Sequence, residues 1–181
     1  MARAFVAVQP PDDVLDAVGA AVRRLESLVH GGRWSAREQR HLTLQFLGNH
    51  ADVEAVGDAL HALAVRAGDV RIGGGGAFPS ARRARVLWLG VTEGAELLAQ
   101  LAAAVGALLA PLGHAPEERS YHPHLSLARW KAPADARPVV EALGDAPVGP
   151  AWRVEHVVLY ESRLHPKGAQ YTPHAVVPLP T

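Results

Sequence analysis

The sequence predicts an α+β protein with a bilobal, pseudo-symmetric fold, two antiparallel sheets lining a central cleft and helices on the outside. Three observations carry this. The pattern H-L-[ST]-L occurs twice, at His41–Leu44 and at His124–Leu127, about half the chain apart. Several short runs alternate polar and apolar residues, the mark of strands with one covered face and one open face. Between them lie stretches whose apolar residues recur at helical spacing. The order of strands and helices alone also suits a parallel doubly wound sheet, but half-polar alternation favours antiparallel pairing.

The elements follow in order. Residues 3–8 (RAFVAV) read as a strand. Pro11 and Asp12 open a helix through about Val29, with Val14, Leu15, Val18, Val22, Leu25 and Leu28 on one face. His41 to Leu47 alternates as a half-buried strand, and Gly48-Asn49 is expected to break it. Residues 52–66 read as a second helix. A strand from Val70 runs into Gly73–Gly76, expected to be a flexible turn, and Arg85–Val91 is the next strand. Gly94–Leu109 is a third helix, stopped near Pro111. His124–Arg129 is a strand, 135–143 a short helix, and Arg153–Glu161 and Tyr171–Val177 complete the strands. No low-complexity linker separates independent domains, so residues 1–181 are expected to form a single bilobal domain.

Composition narrows the function classes. With 18 basic and 18 acidic residues the net charge is zero, which argues against broad charge-driven coating of nucleic acid but allows a local phosphate site. The basic residues are arginines except for Lys131 and Lys167, and the planar guanidinium suits phosphate. Cysteine is absent, which excludes disulfides, thiolate zinc sites and cysteine nucleophiles. The apolar run before Pro10-Pro11 is too short for a signal peptide, and no stretch is expected to span a membrane. The expectation is a soluble, cytoplasmic monomer with no membrane partner.

The repeated motif carries the chemistry. In a strand, residues two apart point the same way, so His41 and Thr43 share one face while Leu42 and Leu44 enter the core. His124 and Ser126 do the same against Leu125 and Leu127. Two such strands facing one another set two imidazoles and two hydroxyls around one pocket. That set fits in-line displacement at phosphorus, where one group takes a proton and another gives one on the opposite side. A cyclic phosphodiester bears a single negative charge, so a metal is not obligatory. The pair requires one neutral and one protonated histidine, hence a bell-shaped pH profile.

H-L-T-L-Q-F-L-G at His41–Gly48 and Y-H-P-H-L-S-L-A-R at Tyr121–Arg129 resemble the two signature motifs of the 2H phosphoesterases. More closely they resemble the bacterial and archaeal RNA 2′,3′-cyclic phosphodiesterases, also called the 2′-5′ RNA ligase (LigT/ThpR-like) family. The likeness extends through R-A-F-V-A-V, the run Ala77–Trp88, P-E-E-R at Pro116–Arg119 and V-V-L-Y-E-S-R-L at Val157–Leu164. The resemblance implies two antiparallel sheets around a cleft and hydrolysis of an RNA 2′,3′-cyclic phosphate to a 2′-phosphomonoester. It assigns His41 as proton donor to the departing O3′ and His124 as proton acceptor from water. It makes Thr43 and Ser126 phosphate ligands, with Arg129 adding positive charge and Phe46 contacting the nucleoside. It implies no cofactor and no metal, and RNA ends or nucleotides with a 2′,3′-cyclic phosphate as partners. Ser126 stands where the family more often has threonine, keeping the hydroxyl without the stiffening β-branch. Strict alternation puts Phe46 and Arg129 on the face opposite the histidines, so their roles require a bulge, a twist or a side chain that curls back.

Other features read more plainly. His122 is a cleft-rim residue, and the histidines outside the motifs are surface or structural. Gly73–Gly76 is not a P-loop, since no G-K-[ST] follows. Arg82, Arg83 and Arg85 form the densest basic cluster: a solvated loop by default, an RNA-backbone contact as second reading. Tyr160 and Trp88 read as core or cleft wall. Two alternatives stand beside the leading function. One is a 2H enzyme that acts on a small cyclic nucleotide or makes 2′-5′ links. The other is a non-catalytic RNA- or nucleotide-binding protein of the same fold.

Overall fold

Nine strands and four helices make up the fold, which the computed structural model describes over residues 1–181. In chain order they are β1 (Ala2–Val8), α1 (Asp12–Leu25), β2 (Arg33–Trp34), β3 (Leu42–Ala51), α2 (Val53–Leu60), β4 (Gly68–Phe78), β5 (Ala84–Glu93), α3 (Ala95–Leu109), β6 (Leu125–Ala134), α4 (Arg137–Leu143), β7 (Trp152–Val154), β8 (His156–Arg163) and β9 (Gln170–Pro178). Every strand pair is antiparallel. One lobe has the order β3-β1-β8-β9 and the other β7-β4-β5-β6, with β2 added to β6. The lobes are therefore not successive halves of the chain: its two ends meet in one lobe.

The two sheets join through one residue pair, Leu42 opposite Leu125. These are equivalent positions of the repeated motif, so the pseudo-twofold axis of the molecule passes between them. Both leucines are fully buried, in a contiguous cluster of 35 apolar residues that runs beneath both sheets. The helices cover this outer side. Helices α2 and α3 pack on the first lobe and α4 on β4, each through an apolar stripe such as Leu98, Leu101, Val105 and Leu109 of α3.

Helix α3 and the turn after it, Ala95–Leu112, reach a mean hydropathy of 1.7 over 18 residues, long and apolar enough to qualify as a membrane span by composition. The expectation that no stretch would qualify is corrected here. The segment's inner face is part of the core, which accounts for its apolar character.

Other boundaries move for identifiable reasons. Gly48 does not end β3. It takes φ +79° at a bulge opposite β1, and the strand continues to Ala51. Gly73–Gly76 is not a flexible turn but the interior of β4, paired with β5. A Cβ on Gly75 would lie 2.4 Å from Leu143 Cβ, so glycine here lets α4 sit directly on the strand. The second helix ends at Leu60 rather than at 66, because the next amides tighten into i→i−3 bonds. The run 153–161 splits at Glu155, where the chain leaves β4 as β7 and joins β9 and β1 as β8.

The close seat of α4 on β4 gives a stability prediction. Gly75→Ala should cost about 1–3 kcal/mol through overpacking against Leu143. Denaturant unfolding would show it as a lower midpoint at unchanged slope. An unchanged midpoint would mean that α4 shifts freely.

Candidate active site

The Leu42–Leu125 pair fixes where the motif side chains go. Both strands begin there and run in opposite directions, so antiparallel register sets His41 across from Ser126 and Thr43 across from His124. The two histidines are then diagonal neighbours across the junction. All four side chains line one cavity of about 290 Å³, on the face opposite the buried leucines.

The strands also share an irregularity. From the histidine onward, both show the same seven-residue order of burial, with two successive buried positions, Leu44-Gln45 and Leu127-Ala128. Each doublet marks a bulge. Between Val6 and Ala7 of β1 the partner steps from Gln45 to Thr43, and between Leu87 and Trp88 of β5 it steps from Ala128 to Ser126. The bulges return the residue after each doublet, Phe46 and Arg129, to the open face. Arg129 thus lines the cavity with His124 and Ser126, opposite Arg33 of β2, which lines it too. Phe46 is likewise on the open face, opposite Phe5, but outside the cavity wall. It is exposed, with the Arg3 guanidinium 4.7 Å from its ring centroid. Of the six residues singled out in the sequence, the structure brings five together and leaves Phe46 apart.

Aromatic rings hold each imidazole. His41 stacks on Phe5 at 4.6 Å between centroids, and Tyr171 meets it edge-on at 5.3 Å. His124 meets Phe78 edge-on at 5.0 Å, beside Trp88 and the rim residue His122. Trp88 and Tyr160 thus form cleft wall, as read from the sequence. The His122 carbonyl accepts a hydrogen bond from His124 Nδ1 at 2.7 Å, which leaves Nε2 free to take a proton. The backbone of Gln39, likewise two residues before its histidine, favours the charged form of His41.

The motifs brace one another. Tyr121, just before the second motif, donates to the Thr43 carbonyl at 2.9 Å. Ser35, before the first, has its Oγ 3.0 and 3.1 Å from the Ser126 and Leu127 carbonyls. Arg40, almost fully buried, donates through its guanidinium to the Ser35 carbonyl and so locks that brace from behind. Gln39 donates to the Ala169 carbonyl at 2.9 Å, tying the β8–β9 turn over the cavity, where Gly168, Ala169 and Tyr171 close one side. Sequence reasoning missed Ser35, Arg40, Phe5 and Tyr171. Segment 33–40 has neither strand nor helix period, and Phe5 lies in a run too apolar to show a face.

Electrostatics set the resting protonation. Burial pushes the His41 pKa down to about 4, with smaller downward pushes from His124 and Arg129 and an opposing lift from its bond to the Gln39 backbone. Burial lowers His124 as well, aided by the charges of His122 and Arg129 and opposed by its bond to the His122 backbone. With the cavity empty, both rings are neutral at pH 7. The wall holds imidazoles, hydroxyls and guanidiniums and no carboxylate, a set that attracts an oxyanion.

Comparison with known proteins agrees with this geometry. Residues 10–166 match the 2′-5′ RNA ligase superfamily. An RNA 2′,3′-cyclic phosphodiesterase of Aeropyrum pernix is 33% identical over 85% of this chain and 92% of its own length. One from Thermus thermophilus is 35% identical over 94% of this chain and 86% of its own. The crystal structure of Escherichia coli LigT complexed with 3′-AMP superposes with a TM-score of 0.77 at 25% identity, covering 99% of both chains. Motif pair, cleft architecture and alignment over nearly the whole length agree: this chain belongs to the 2′-5′ RNA ligase superfamily, the family of the RNA 2′,3′-cyclic phosphodiesterases with which it aligns.

Proposed function

We propose that this chain is an RNA 2′,3′-cyclic phosphodiesterase that opens the cyclic ester to a 2′-phosphomonoester by metal-independent catalysis with His41 and His124. The observation that carries this reading is the symmetric delivery of two imidazoles, each held against aromatic rings, to one cavity without carboxylates. His124 Nε2 takes a proton from water as the water attacks phosphorus. The O3′–P bond opposite breaks, and His41 gives its proton to O3′. The product carries a 2′-phosphate and a free 3′-hydroxyl. Thr43 and Ser126 donate to the non-bridging oxygens, and Arg129 offsets charge that builds on them. The names of the relatives and the 3′-AMP complex of LigT support a nucleotide ligand in this cleft.

The proton inventory adds a condition. His41 must be protonated to act as acid, yet burial holds it neutral in the empty site. An anionic phosphate between the rings favours the imidazolium, and Phe5 beneath His41 adds a cation–π contribution. Substrate binding is therefore coupled to proton uptake from solvent: the bound anion raises His41 so that it protonates.

Three outcomes follow. In excess EDTA, an oligoribonucleotide ending in a 2′,3′-cyclic phosphate should yield the 2′-phosphate. Binding without turnover would favour the non-catalytic alternative, and activity dependent on added metal would end the metal-free scheme. Second, His41→Ala and His124→Ala should each remove most of kcat with the fold intact, the double variant being little worse than either single, because the pair acts as a unit. Thr43→Val should cost about 1–3 kcal/mol in kcat/KM. Third, both limbs of the kcat/KM profile should lie below the ordinary histidine pKa of about 6.5. The kcat profile should sit at higher pH, since the bound anion raises both rings. A kcat/KM still rising above that value would contradict the protonation scheme.

A further inference from the structure

We infer that the RNA strand leading to the cyclic phosphate lies along a basic track that leaves the cavity over β6 and β5 and ends at the β4–β5 turn. This rests on the proposed phosphodiesterase reading and names the surface that would take the rest of the substrate. The track begins in the cavity wall, where Arg33 and Arg129 sit opposite each other on β2 and β6. Lys131 is the next exposed residue of β6 after Arg129, inside the irregular stretch where β6 advances five positions against two of β5. Arg85 lies alongside, its guanidinium donating to the Lys131 carbonyl at 2.9 Å. Arg82 and Arg83 follow at the turn, and all six side chains belong to exposed residues. From Val86, which pairs with Arg129, back to Arg83 is three residues, about 10 Å of strand.

Continuity with the cavity separates this track from an ordinary solvated face. None of its six cations forms an ion pair, so none is already engaged by a carboxylate, although seven cations elsewhere in the chain are unpaired as well. The carboxylate at its edge, Asp135, is held by both Nε and Nη2 of Arg137, at 3.0 and 2.7 Å, although the charge of Arg82 also acts on it. In a chain with no net charge, six of the 18 cations thus lie between the cavity wall and the β4–β5 turn. The ligand that continues outward from a bound 2′,3′-cyclic end is its own 5′ strand, with one negative charge per nucleotide. That continuity favours single-stranded RNA over an acidic peptide, which has no reason to begin at the cavity.

The test compares two substrates, a 2′,3′-cyclic mononucleotide and a single-stranded oligoribonucleotide with the same 3′ end. Three proteins are needed: the parent chain, Arg83→Glu combined with Lys131→Glu, and an Arg66→Glu control. Arg66 is exposed and unpaired and precedes β4, at the end remote from the turn. The double variant should raise KM for the oligonucleotide on the order of tenfold and make its logarithmic salt dependence shallower by about 1.4, from about 0.7 for each lost phosphate contact on a single strand. Mononucleotide kinetics should stay within about twofold, and the control should match the parent on both substrates. Equal losses on both substrates, or an unchanged salt slope, would overturn the track. Should the parent chain turn over neither substrate, the phosphodiesterase reading fails by itself. Fluorescence anisotropy with the same oligonucleotide then decides the track, which stands only if the double variant weakens binding.

Discussion

A single backbone pairing, Leu42 with Leu125, organises the molecule. The two residues are equivalent members of a repeated motif, so pairing them places everything that follows each motif in matched positions about one axis. Their side chains are fully buried on the helix-covered side, which turns the flanking histidines and hydroxyls to the other side. A slip of one residue there would exchange the two sets, burying imidazoles and exposing leucines. Register at the junction is thus held by hydrophobic burial and read out as catalytic geometry. The cross-braces from Tyr121 and Ser35 act on the same few residues, so the segment before each motif stabilises the strand of the other.

The motif spacing made the outline of this site legible in the sequence. Period-two alternation put His41 with Thr43 and His124 with Ser126, and the repeat put the two sets together. It could not show the bulges, because Leu44-Gln45 and Leu127-Ala128 look like ordinary alternation until the partner strands are known. Arg129 illustrates the consequence. Strict alternation sends it away from the cavity, and one extra residue brings it back. Phe46 receives the same correction in face, but sits beyond the cavity and under Arg3. The glycines failed for a related reason. Gly75 reads as a turn residue in one dimension, whereas its role is to leave room for Leu143 from an element 68 positions later (143 − 75). Signals local in sequence were legible, and those created by a distant partner were not.

The lobes differ where the chemistry needs them to differ. Both histidines sit among aromatic rings, yet His41 stacks on Phe5 while His124 meets Phe78 in a T-shaped contact. A ring face is the negative part of the aromatic quadrupole and favours a cation above it. Stacking therefore helps His41 hold a proton in spite of its burial. The T-shaped contact of Phe78 with His124 lacks that stacked overlap, while burial and the charge of Arg129 push both rings toward the neutral form, His41 the more strongly. The aromatic packing thus separates two rings supplied by nearly identical motifs, and in the proposed scheme the stacked one, His41, is the acid once a bound anion offsets its burial.

Net neutrality and a phosphate-seeking site are compatible because charge is distributed rather than abundant. Five arginines are absorbed in surface ion pairs, which contribute little to stability but remove positive charge from the outer faces. The unpaired arginines at the cavity are left facing a wall without carboxylates, next to two neutral imidazoles. Such a site has no internal anion to compete with a ligand, so the incoming phosphate is the group that completes its electrostatics. The same anion raises the pKa of both rings, and His41, stacked on Phe5, is the better placed to hold the proton. In the proposed mechanism, recognition of the phosphate and arming of the acid are then one event, brought about by the charge of the substrate itself.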